Sequence, residues 1–209
     1  MTESGILICG LDEAGRGPLA GPVCAAAVIL SKKDTVLEFP FGILNDSKKM
    51  SPLARENAKG IILREAVAWG IGWVSATEID EINIHKASLL AMKRAFEFML
   101  AESDKHGNET RGNESLDLRN IHAIVDGLFA PDIPVPCKPM VKADDTVPEV
   151  MAASILAKTA RDRLMEYYGL FYPNYGYETH KGYPTKAHRE AILRYGPSPI
   201  QRLSFRVKS

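Results

Sequence analysis

The stretch GILICGLDEAGRGPLAGPVCAAAVIL, residues 5–30, holds two short apolar runs separated by a link rich in glycine and proline. Residues 5–11 and 21–30 combine β-branched or small apolar side chains with flanking glycines, a pattern typical of buried strands. Asp12 and Glu13 end the first run, where a buried carboxylate costs on the order of several kcal/mol unless it is paired or binds a metal. Gly15 and Gly17 would let the backbone leave regular strand geometry, so that both acids could serve one site. The alternative is a solvated acidic turn without a function.

The glycines of this link also match, formally, a dinucleotide-binding fingerprint. Gly15, Gly17 and Ala20 have the required spacing and follow a predicted strand. That fingerprint must open a helix whose N-terminus holds the pyrophosphate, whereas here Pro18 and Pro22 lead into another strand. The sequence therefore disfavours a nucleotide cofactor.

The rest of the chain alternates helix and strand patterns. Ser51 and Pro52 form a helix start, as the N-cap and the first helical residue. We predict helices over residues 52–69, 84–100, 148–169 and 185–195, and strands over residues 70–76, 121–125 and 137–142. The polar residues 101–120 predict a mobile surface loop. Strands mixed with helices of this length predict an α/β sheet with helices on its faces, followed by a helical cap or small subdomain.

The composition is that of an ordinary globular protein, with 45% hydrophobic and 25% charged residues among 209. The longest clean apolar run, residues 23–30, is far shorter than the roughly 20 residues that span a bilayer, and the N-terminus has no signal-peptide pattern. Three widely spaced cysteines, Cys9, Cys24 and Cys137, predict buried free thiols in a reducing cytoplasm, away from membranes. The 26 basic and 26 acidic residues cancel, but residues 151–209 carry 10 basic and 4 acidic ones, which predicts a region that tracks phosphates.

Acidic residues also follow two later strands. Asp126 ends the strand predicted over residues 121–125, and Asp144 and Asp145 follow the strand over residues 137–142. In an open α/β sheet, functional groups gather at the carboxyl ends of the strands, so these acids converge with Asp12 and Glu13 if the strands are neighbours. Converging carboxylates repel one another unless cations are bound, and oxygen-only sites favour Mg²⁺ or Mn²⁺ over zinc. Two such ions are the recurring apparatus of phosphodiester cleavage.

A polyanionic substrate needs basic and polar contacts near the acids. The candidates are Arg16, Ser47, Lys48, Lys49, Lys142, Lys158 and Lys181. Ser154 and Lys158 lie four residues apart on one face of a predicted helix, where both could meet the same phosphate. For each lysine the alternative is a solvated surface charge.

Taken together, these motifs resemble the ribonuclease HII family, the bacterial type 2 ribonucleases H. The matching blocks are GLDEAGRGP (10–18), NDSKKMS (45–51), EIDEINI (78–84), VDG (125–127), KADDTVPEVMAASILAKTARD (142–162) and HKGYPT (180–185). Six blocks in one order over nearly the whole chain make the resemblance highly specific.

The resemblance implies a ribonuclease H-like mixed five-stranded sheet flanked by helices, with a C-terminal helical subdomain. Residues 1–150 would form the catalytic core, and residues 151–209 would continue the core helix into the subdomain, effectively as one catalytic unit. The implied activity is hydrolysis of the RNA strand of RNA/DNA hybrids and cleavage 5′ to ribonucleotides embedded in duplex DNA, leaving 5′-phosphate and 3′-hydroxyl ends. It implies two Mn²⁺ or Mg²⁺ ions, a monomer, and roles in ribonucleotide and RNA primer removal.

The resemblance also assigns roles to individual residues. Asp12, Glu13, Asp126 and Asp144 match the four acidic metal-site residues of the family. The run from Gly15 through Arg16 to Gly17 matches the motif that reads the ribose 2′-hydroxyl, and Tyr183 matches the tyrosine that packs on the adjoining deoxyribose. The further expected substrate contacts are Asn45, Ser47, Lys48, Lys142, Ser154, Lys158 and Lys181.

The sequence departs from the family pattern at three places. Asp145 stands where many relatives carry serine, which leaves either Asp144 or Asp145 as the fourth ligand; we choose Asp144, which lies 18 residues after Asp126, the family's spacing. The polar loop over residues 102–120 is longer than in relatives. The segment QRLSF (201–205) replaces an HRRSF-like segment, and we interpret it first as the family tail and second as a sliding-clamp peptide.

Three other functions compete with this one. The first is a binding protein for hybrids that retains the fold without activity, which the complete acidic set disfavours. The second is a different two-metal nuclease or phosphotransferase, such as one that resolves DNA junctions. The third, ribonuclease HIII, is disfavoured because it carries a threonine-like residue in place of Arg16 and an additional N-terminal domain.

Overall fold

A five-stranded mixed sheet organises the molecule, in the order β3-β2-β1-β4-β5. The computed structural model describes residues 5–30, 50–106 and 116–207. The strands are β1 (Leu7–Ala14), β2 (Val23–Ile29), β3 (Ala68–Val74), β4 (Ile121–Asp126) and β5 (Cys137–Met140). β2 runs antiparallel to both β1 and β3, whereas β4 is parallel to β1 and β5 is parallel to β4. The prediction of a mixed five-stranded sheet is confirmed.

The first strand extends three residues beyond its predicted end at residue 11. Asp12 pairs with Ala26 and Glu13 with Ala25 in regular antiparallel register, although the pairing of β1 with β4 stops at Leu11. β2 thus pairs with the last three residues of β1, which have no partner in β4 on the other side. The backbone leaves extended geometry only at Gly15, whose φ of 97° lies in the left-handed region.

The described part of the chain contains six helices. They are α1 (Pro52–Glu65), α2 (Ala76–Ile82), α3 (Ile84–His106), α4 (Pro148–Phe171), α5 (Tyr177–His180) and α6 (Lys186–Tyr195). α1 stops four residues before its predicted end, because residues 68 and 69 pair with β2 instead. α3 continues into the segment predicted as a loop, and residues 107–115 of that segment lie outside the described residues. None of the described helices has the length and apolar character needed to cross a membrane.

The helix α2 was not predicted, although the sequence carries its signal. The Ser75 hydroxyl accepts a hydrogen bond from the N–H of Glu78, and the Glu78 carboxylate accepts one from the N–H of Ser75 at 2.9 Å. This reciprocal capping box starts the helix directly after β3.

The core has two layers, one on each face of the sheet. α3 packs on one face, where Leu11, Phe96 and Met99 are fully buried, and α1 and α4 pack on the other, around Ile62 and Leu156. Gly10 brings α4 close to β1, because a Cβ at this position would collide with the backbone of residues 149 and 150. The N-terminal part of α4 therefore lies next to Asp12.

The cysteines are free thiols, as predicted, but the predicted burial holds only for Cys9 and Cys24. Cys9 and Cys24 are buried in the two core layers, and Cys137 is half-buried. Burial raises the pKa of the Cys9 and Cys24 thiols.

The C-terminal helical region packs against the link between β1 and β2. Leu19 donates its N–H to the carbonyl of Gly182 at 2.8 Å, and Gly21 donates to that of Ile200 at 2.8 Å. Ala20 forms an isolated β-bridge with Gln201. The tail thus returns to the segment that follows Asp12 and Glu13.

Candidate active site

Asp12 is the buried centre of the acidic cluster, with only 5% of its surface exposed. Its Oδ1 accepts the backbone N–H of Glu13 at 2.7 Å, and its carboxyl also hydrogen-bonds the Ser154 side chain of α4. Burial raises the pKa of Asp12 well above its ordinary value, and the charges of Glu13 and Asp126 raise it further. The acids of β1 and β4 therefore lie close enough to repel one another.

Glu13 borders a small pocket on the α3 side of the sheet. Its Oε1 lies 3.1 Å from Nη1 of Arg16, whose side chain is 53% exposed. The pocket has a volume of about 140 Å³. Its lining comprises Glu13, Arg16, His85, Ser88, Leu89, Met92, Asp126, Gly127, Leu128 and Phe129.

Asp126 and Asp144 are linked through the backbone of one short turn. Asp126 Oδ1 accepts the N–H of Ala143 at 2.9 Å, and Ala143 begins the 3-10 turn Ala143–Asp145. Lys142 enters this turn in the left-handed region, with φ of 60°. Asp144 is 8% exposed, whereas Asp145 is exposed to solvent. The geometry thus favours Asp144 over Asp145 as the inward-lying acid.

The acidic side chains are of the type that binds a divalent cation, but they are not arranged as a complete metal site. In the three described ranges, no group of three or more His, Cys, Asp or Glu side chains is arranged to hold a metal ion. The four predicted ligands are nevertheless all carboxylates, the donors that Mg²⁺ and Mn²⁺ prefer. Repulsion among Asp12, Glu13 and Asp126 is the feature that a bound cation would relieve.

The loop that follows the acids lies beside Tyr183. A Cβ at Gly17 would be 3.6 Å from Cε1 of Tyr183, so the ring sits next to the bare backbone of this glycine. Tyr183 is 42% exposed, and its N–H donates to the carbonyl of His180 at 2.9 Å. The structure thus brings together Gly17 and Tyr183, the two features to which the family resemblance assigns sugar recognition.

The predicted basic contacts differ in whether their side chains already form ion pairs within the protein. Lys158 Nζ lies 2.7 Å from Asp162 Oδ1, and Lys181 Nζ lies 2.9 Å from Glu166 Oε1. Lys142 is exposed, and Ser154 is 5% exposed and directed to Asp12. The predicted contacts Asn45, Ser47 and Lys48, like Lys49, lie outside the described residues.

Sequence reasoning missed two buried arginines and one aromatic pair. Arg161 and Arg202 are 1% and 0% exposed. Both donate hydrogen bonds to backbone carbonyls of residues 15–22, the link between β1 and β2. Arg161 follows the buried Ala157 by four residues and precedes the buried Met165 by four, a spacing that could have placed it on the inner face of α4. His85 and Phe129 form an edge-to-face pair, with ring centroids 4.6 Å apart, at the pocket beside Glu13.

Known proteins match the chain along nearly its whole length. A family model described as Ribonuclease HII matches residues 9–208. A ribonuclease HII of Treponema denticola is 54% identical over 209 residues, covering 97% of this chain and 100% of that protein. One from Moorella thermoacetica is 45% identical over 203 residues, covering 95% and 86%.

Solved structures agree on the fold. The PCNA:RNase HII complex from Archaeoglobus fulgidus contains a chain with a TM-score of 0.70 and 26% identity, covering 98% of this chain and 97% of that one. Bst-RNase HIII in complex with Mn²⁺ has a TM-score of 0.73 at 18% identity, covering 97% and 68%, and this likeness shows the fold alone. From the family match and the identities of its relatives, we conclude that the chain belongs to the ribonuclease HII family.

Proposed function

We propose that this ribonuclease H cleaves on the 5′ side of ribonucleotides embedded in duplex DNA, as well as the RNA strand of RNA/DNA hybrids. The products would carry 5′-phosphate and 3′-hydroxyl ends. Endoribonuclease activity on hybrids follows from membership of the family. The observation that supports the finer proposal is the position of the loop over residues 15–17, which directly follows the acids of β1 and brings Gly17 beside the exposed ring of Tyr183.

We propose Asp12, Glu13, Asp126 and Asp144 as the ligands of two Mn²⁺ or Mg²⁺ ions. When bound, such ions supply an activated water and stabilise charge on the leaving oxygen. The related Bst-RNase HIII has been solved with Mn²⁺. The protein's own contribution is to hold the acids: Ser154 and the N–H of Glu13 fix the Asp12 carboxyl, and the N–H of Ala143 fixes that of Asp126.

Sugar recognition is assigned to the loop and the tyrosine. Backbone groups of Gly15, Arg16 and Gly17 would read the 2′-hydroxyl, which is the group that distinguishes RNA from DNA at a given site. Gly17 leaves the approach to Tyr183 free of a side chain. The Tyr183 ring would pack on the following deoxyribose, where an added hydroxyl is disfavoured.

Phosphate contacts are proposed for basic and polar residues on several elements around the acids. Lys142 is exposed beside Asp144 and can meet a phosphate directly. Lys158 and Lys181 would exchange Asp162 and Glu166 for substrate phosphates. Asn45, Ser47 and Lys48 complete the proposed set of phosphate contacts, whereas the buried Ser154 would act through the Asp12 carboxyl that it hydrogen-bonds.

Residues 1–150 and 151–209 are proposed to act as one catalytic unit. α4 packs on β1, and the C-terminal tail hydrogen-bonds the link between β1 and β2. The archaeal relative solved as a PCNA:RNase HII complex suggests a sliding-clamp contact for this tail. Gln201 and Arg202 are buried, so that contact would use the exposed Leu203 and the residues after it. The proposed cellular roles are ribonucleotide and primer removal.

Three end-labelled duplexes test the proposed function: one with a single embedded ribonucleotide, one RNA/DNA hybrid and one of DNA alone. Each is incubated with the protein in Mg²⁺, Mn²⁺ or chelator. We expect cleavage 5′ to the ribonucleotide and along the hybrid in either metal, no cleavage in chelator and none of the all-DNA duplex. Equal cleavage of the all-DNA duplex would indicate a general nuclease, and hybrid binding without product would indicate a non-catalytic binding protein.

A further inference from the structure

Arg161 of α4 holds three backbone carbonyls around the link between β1 and β2. Its Nε donates to Pro22 at 2.9 Å, its Nη2 to Ala20 at 3.1 Å and its Nη1 to Lys181 at 3.0 Å. The side chain also fills the space above Gly15, where a Cβ would collide with it. Arg161 thus joins the link to the turn that precedes Tyr183.

Arg202 of the C-terminal tail holds four more carbonyls of the same link. Its Nη2 donates to Gly15 at 2.6 Å and its Nη1 to both Arg16 at 3.1 Å and Pro18 at 2.8 Å, while its Nε donates to Gly21 at 2.8 Å. A planar guanidinium presents five N–H donors in a fixed fork, so one residue can hold several carbonyls in a single geometry.

Both guanidinium groups are buried. Among the described residues, neither forms an ion pair within 4.0 Å. Burial, together with the neighbouring charge of Arg161, lowers the pKa of Arg202 to about 9. Burying like charges side by side is costly, so the carbonyls of the link must provide most of their compensation.

The direction of these hydrogen bonds decides which way the loop faces. In a planar trans peptide, the C=O of one residue and the N–H of the next point in opposite directions. The carbonyls of Gly15 and Arg16 point towards Arg202, so the N–H groups of Arg16 and Gly17 point away from it. Within the described part of the chain, neither of these N–H groups has a hydrogen-bond acceptor.

The tail that carries Arg202 is itself anchored to α2. Asp80 accepts the N–H groups of Leu203 at 2.8 Å and Ser204 at 2.9 Å, and the Arg202 guanidinium lies over the ring of Phe205, 5.1 Å from its centroid. Asp80 therefore fixes the tail without touching the loop over residues 15–22.

We propose that Arg161 and Arg202 are positioning residues, which fix the peptides of residues 15–17 so that the N–H groups of Arg16 and Gly17 face the substrate's ribose. The C-terminal tail thereby becomes part of ribonucleotide recognition. This inference rests on the proposed function of the loop. It also explains why part of the positive charge of residues 151–209 is not available to phosphates, since both cations are buried.

The test compares Arg202→Lys and Asp80→Ala with wild type and with the control Arg163→Lys. The lysine keeps the charge but lacks the fork, and Asp80→Ala releases the tail while leaving both arginines in place. Arg163 lies on the same helix as Arg161, is 60% exposed in its side chain and pairs with Glu56. For each variant, kcat and KM are measured on the single-ribonucleotide duplex and on the uniform hybrid, together with Tm.

We expect kcat/KM on the single-ribonucleotide duplex to fall on the order of 10- to 100-fold in Arg202→Lys, and less in Asp80→Ala, because small displacements of recognition groups are costly. KM should rise in both variants. The preference, meaning the ratio of kcat/KM on the single-ribonucleotide duplex to kcat/KM on the hybrid, should decrease, because the duplex offers one 2′-hydroxyl and the hybrid offers one at every residue of its RNA strand. A purely structural role would lower the folded fraction, which reduces kcat on both substrates equally and leaves KM and the preference unchanged.

Each outcome of these measurements either supports or overturns the inference. Unchanged KM and preference in folded Arg202→Lys would overturn the inference. If Arg202→Lys fails to fold, the test rests on Asp80→Ala. A KM and a substrate preference equal to those of wild type in Asp80→Ala would then overturn the inference. Failure of wild type to cleave either substrate would instead overturn the proposed function on which the inference rests.

Discussion

Asp126 Oδ1 accepts the backbone N–H of Ala143 at 2.9 Å, and this single bond ties the end of β4 to the turn that carries Asp144. This bond thereby holds two proposed metal ligands, Asp126 of β4 and Asp144 of the turn, in position relative to each other. Asp126 therefore has a structural role beside its proposed role as a metal ligand, and substitutions can separate the two.

Asp126→Asn and Asp126→Ala should differ in stability. The asparagine Oδ1 can still accept the Ala143 N–H, and loss of the charge relieves repulsion with Asp12, so the Tm of the metal-free protein should stay the same or rise. Alanine leaves the N–H without this partner, which should cost about 1–3 kcal/mol in the free energy of unfolding. Urea denaturation in chelator measures the difference, and equal stability of the two variants would contradict this role of the bond.

Asp144→Asn and Asp145→Asn should differ in activity. Asp144 is buried in the turn beside Asp126, whereas Asp145 is exposed. We expect Asp144→Asn to lower kcat on the single-ribonucleotide duplex by on the order of 100-fold or more, and Asp145→Asn to change it by less than about threefold. The reverse order of effects would show that Asp145 is the fourth ligand.

Phe129→Ala should weaken substrate binding. Phe129 is 56% exposed at the pocket that contains Glu13 and Asp126, where a nucleotide can stack on it. Stacking on an aromatic side chain contributes about 1–3 kcal/mol per base, so KM should rise by roughly fivefold or more with little change in Tm. Phe98→Ala is the matched control, since Phe98 is 45% exposed on α3 but does not line this pocket. An equal change in KM for both variants would exclude a specific role for Phe129.

Stability should fall as the pH drops below about 6.5, the ordinary pKa of histidine. Burial lowers the pKa of His188, whose Nδ1 lies 3.0 Å from the carbonyl oxygen of Tyr183 and whose ring stacks on His180 at 4.5 Å. The unfolded chain therefore binds a proton at a higher pH than the folded one, and stability is lost as the pH falls from 6.5 towards the lowered value.

Urea denaturation between pH 8 and pH 5 measures this loss, with His188→Asn as the comparison. The variant should lose less stability over the same range, because one buried histidine no longer titrates. An identical pH dependence in the two proteins would show that His188 contributes nothing to it.

The sequence predicted the sheet and its acids because both depend on local patterns. The apolar runs around Leu11 and Val125 form neighbouring strands, and the acids that follow them lie at the predicted edge. The extension of β1 to Ala14 was not predictable from the run itself, because it depends on partners that β2 supplies. The capping box at Ser75 was a readable signal for α2 that the predictions did not use.

The roles of the buried cations could not be obtained from spacing alone. Arg202 reaches Gly15 across 187 positions of sequence, and only the folded chain shows that the tail closes on the loop. Asp162 lies four residues after Lys158 on α4, so that ion pair could have been read from the spacing, whereas the pair of Lys181 with Glu166 joins different elements. Such tertiary pairing decides whether a basic residue is free for phosphate or occupied within the protein.

Cleavage of a duplex with one embedded ribonucleotide, by wild type and by Asp126→Asn in Mn²⁺ and in Mg²⁺, tests the central claim most directly. Products are mapped at single-nucleotide resolution, and Asp145→Asn serves as the acidic control. The account predicts a wild-type cut on the 5′ side of the ribonucleotide, leaving 3′-hydroxyl and 5′-phosphate ends, and no detectable cut by a folded Asp126→Asn. Cleavage by Asp126→Asn at the wild-type rate would contradict the assignment of the acidic cluster as the catalytic site.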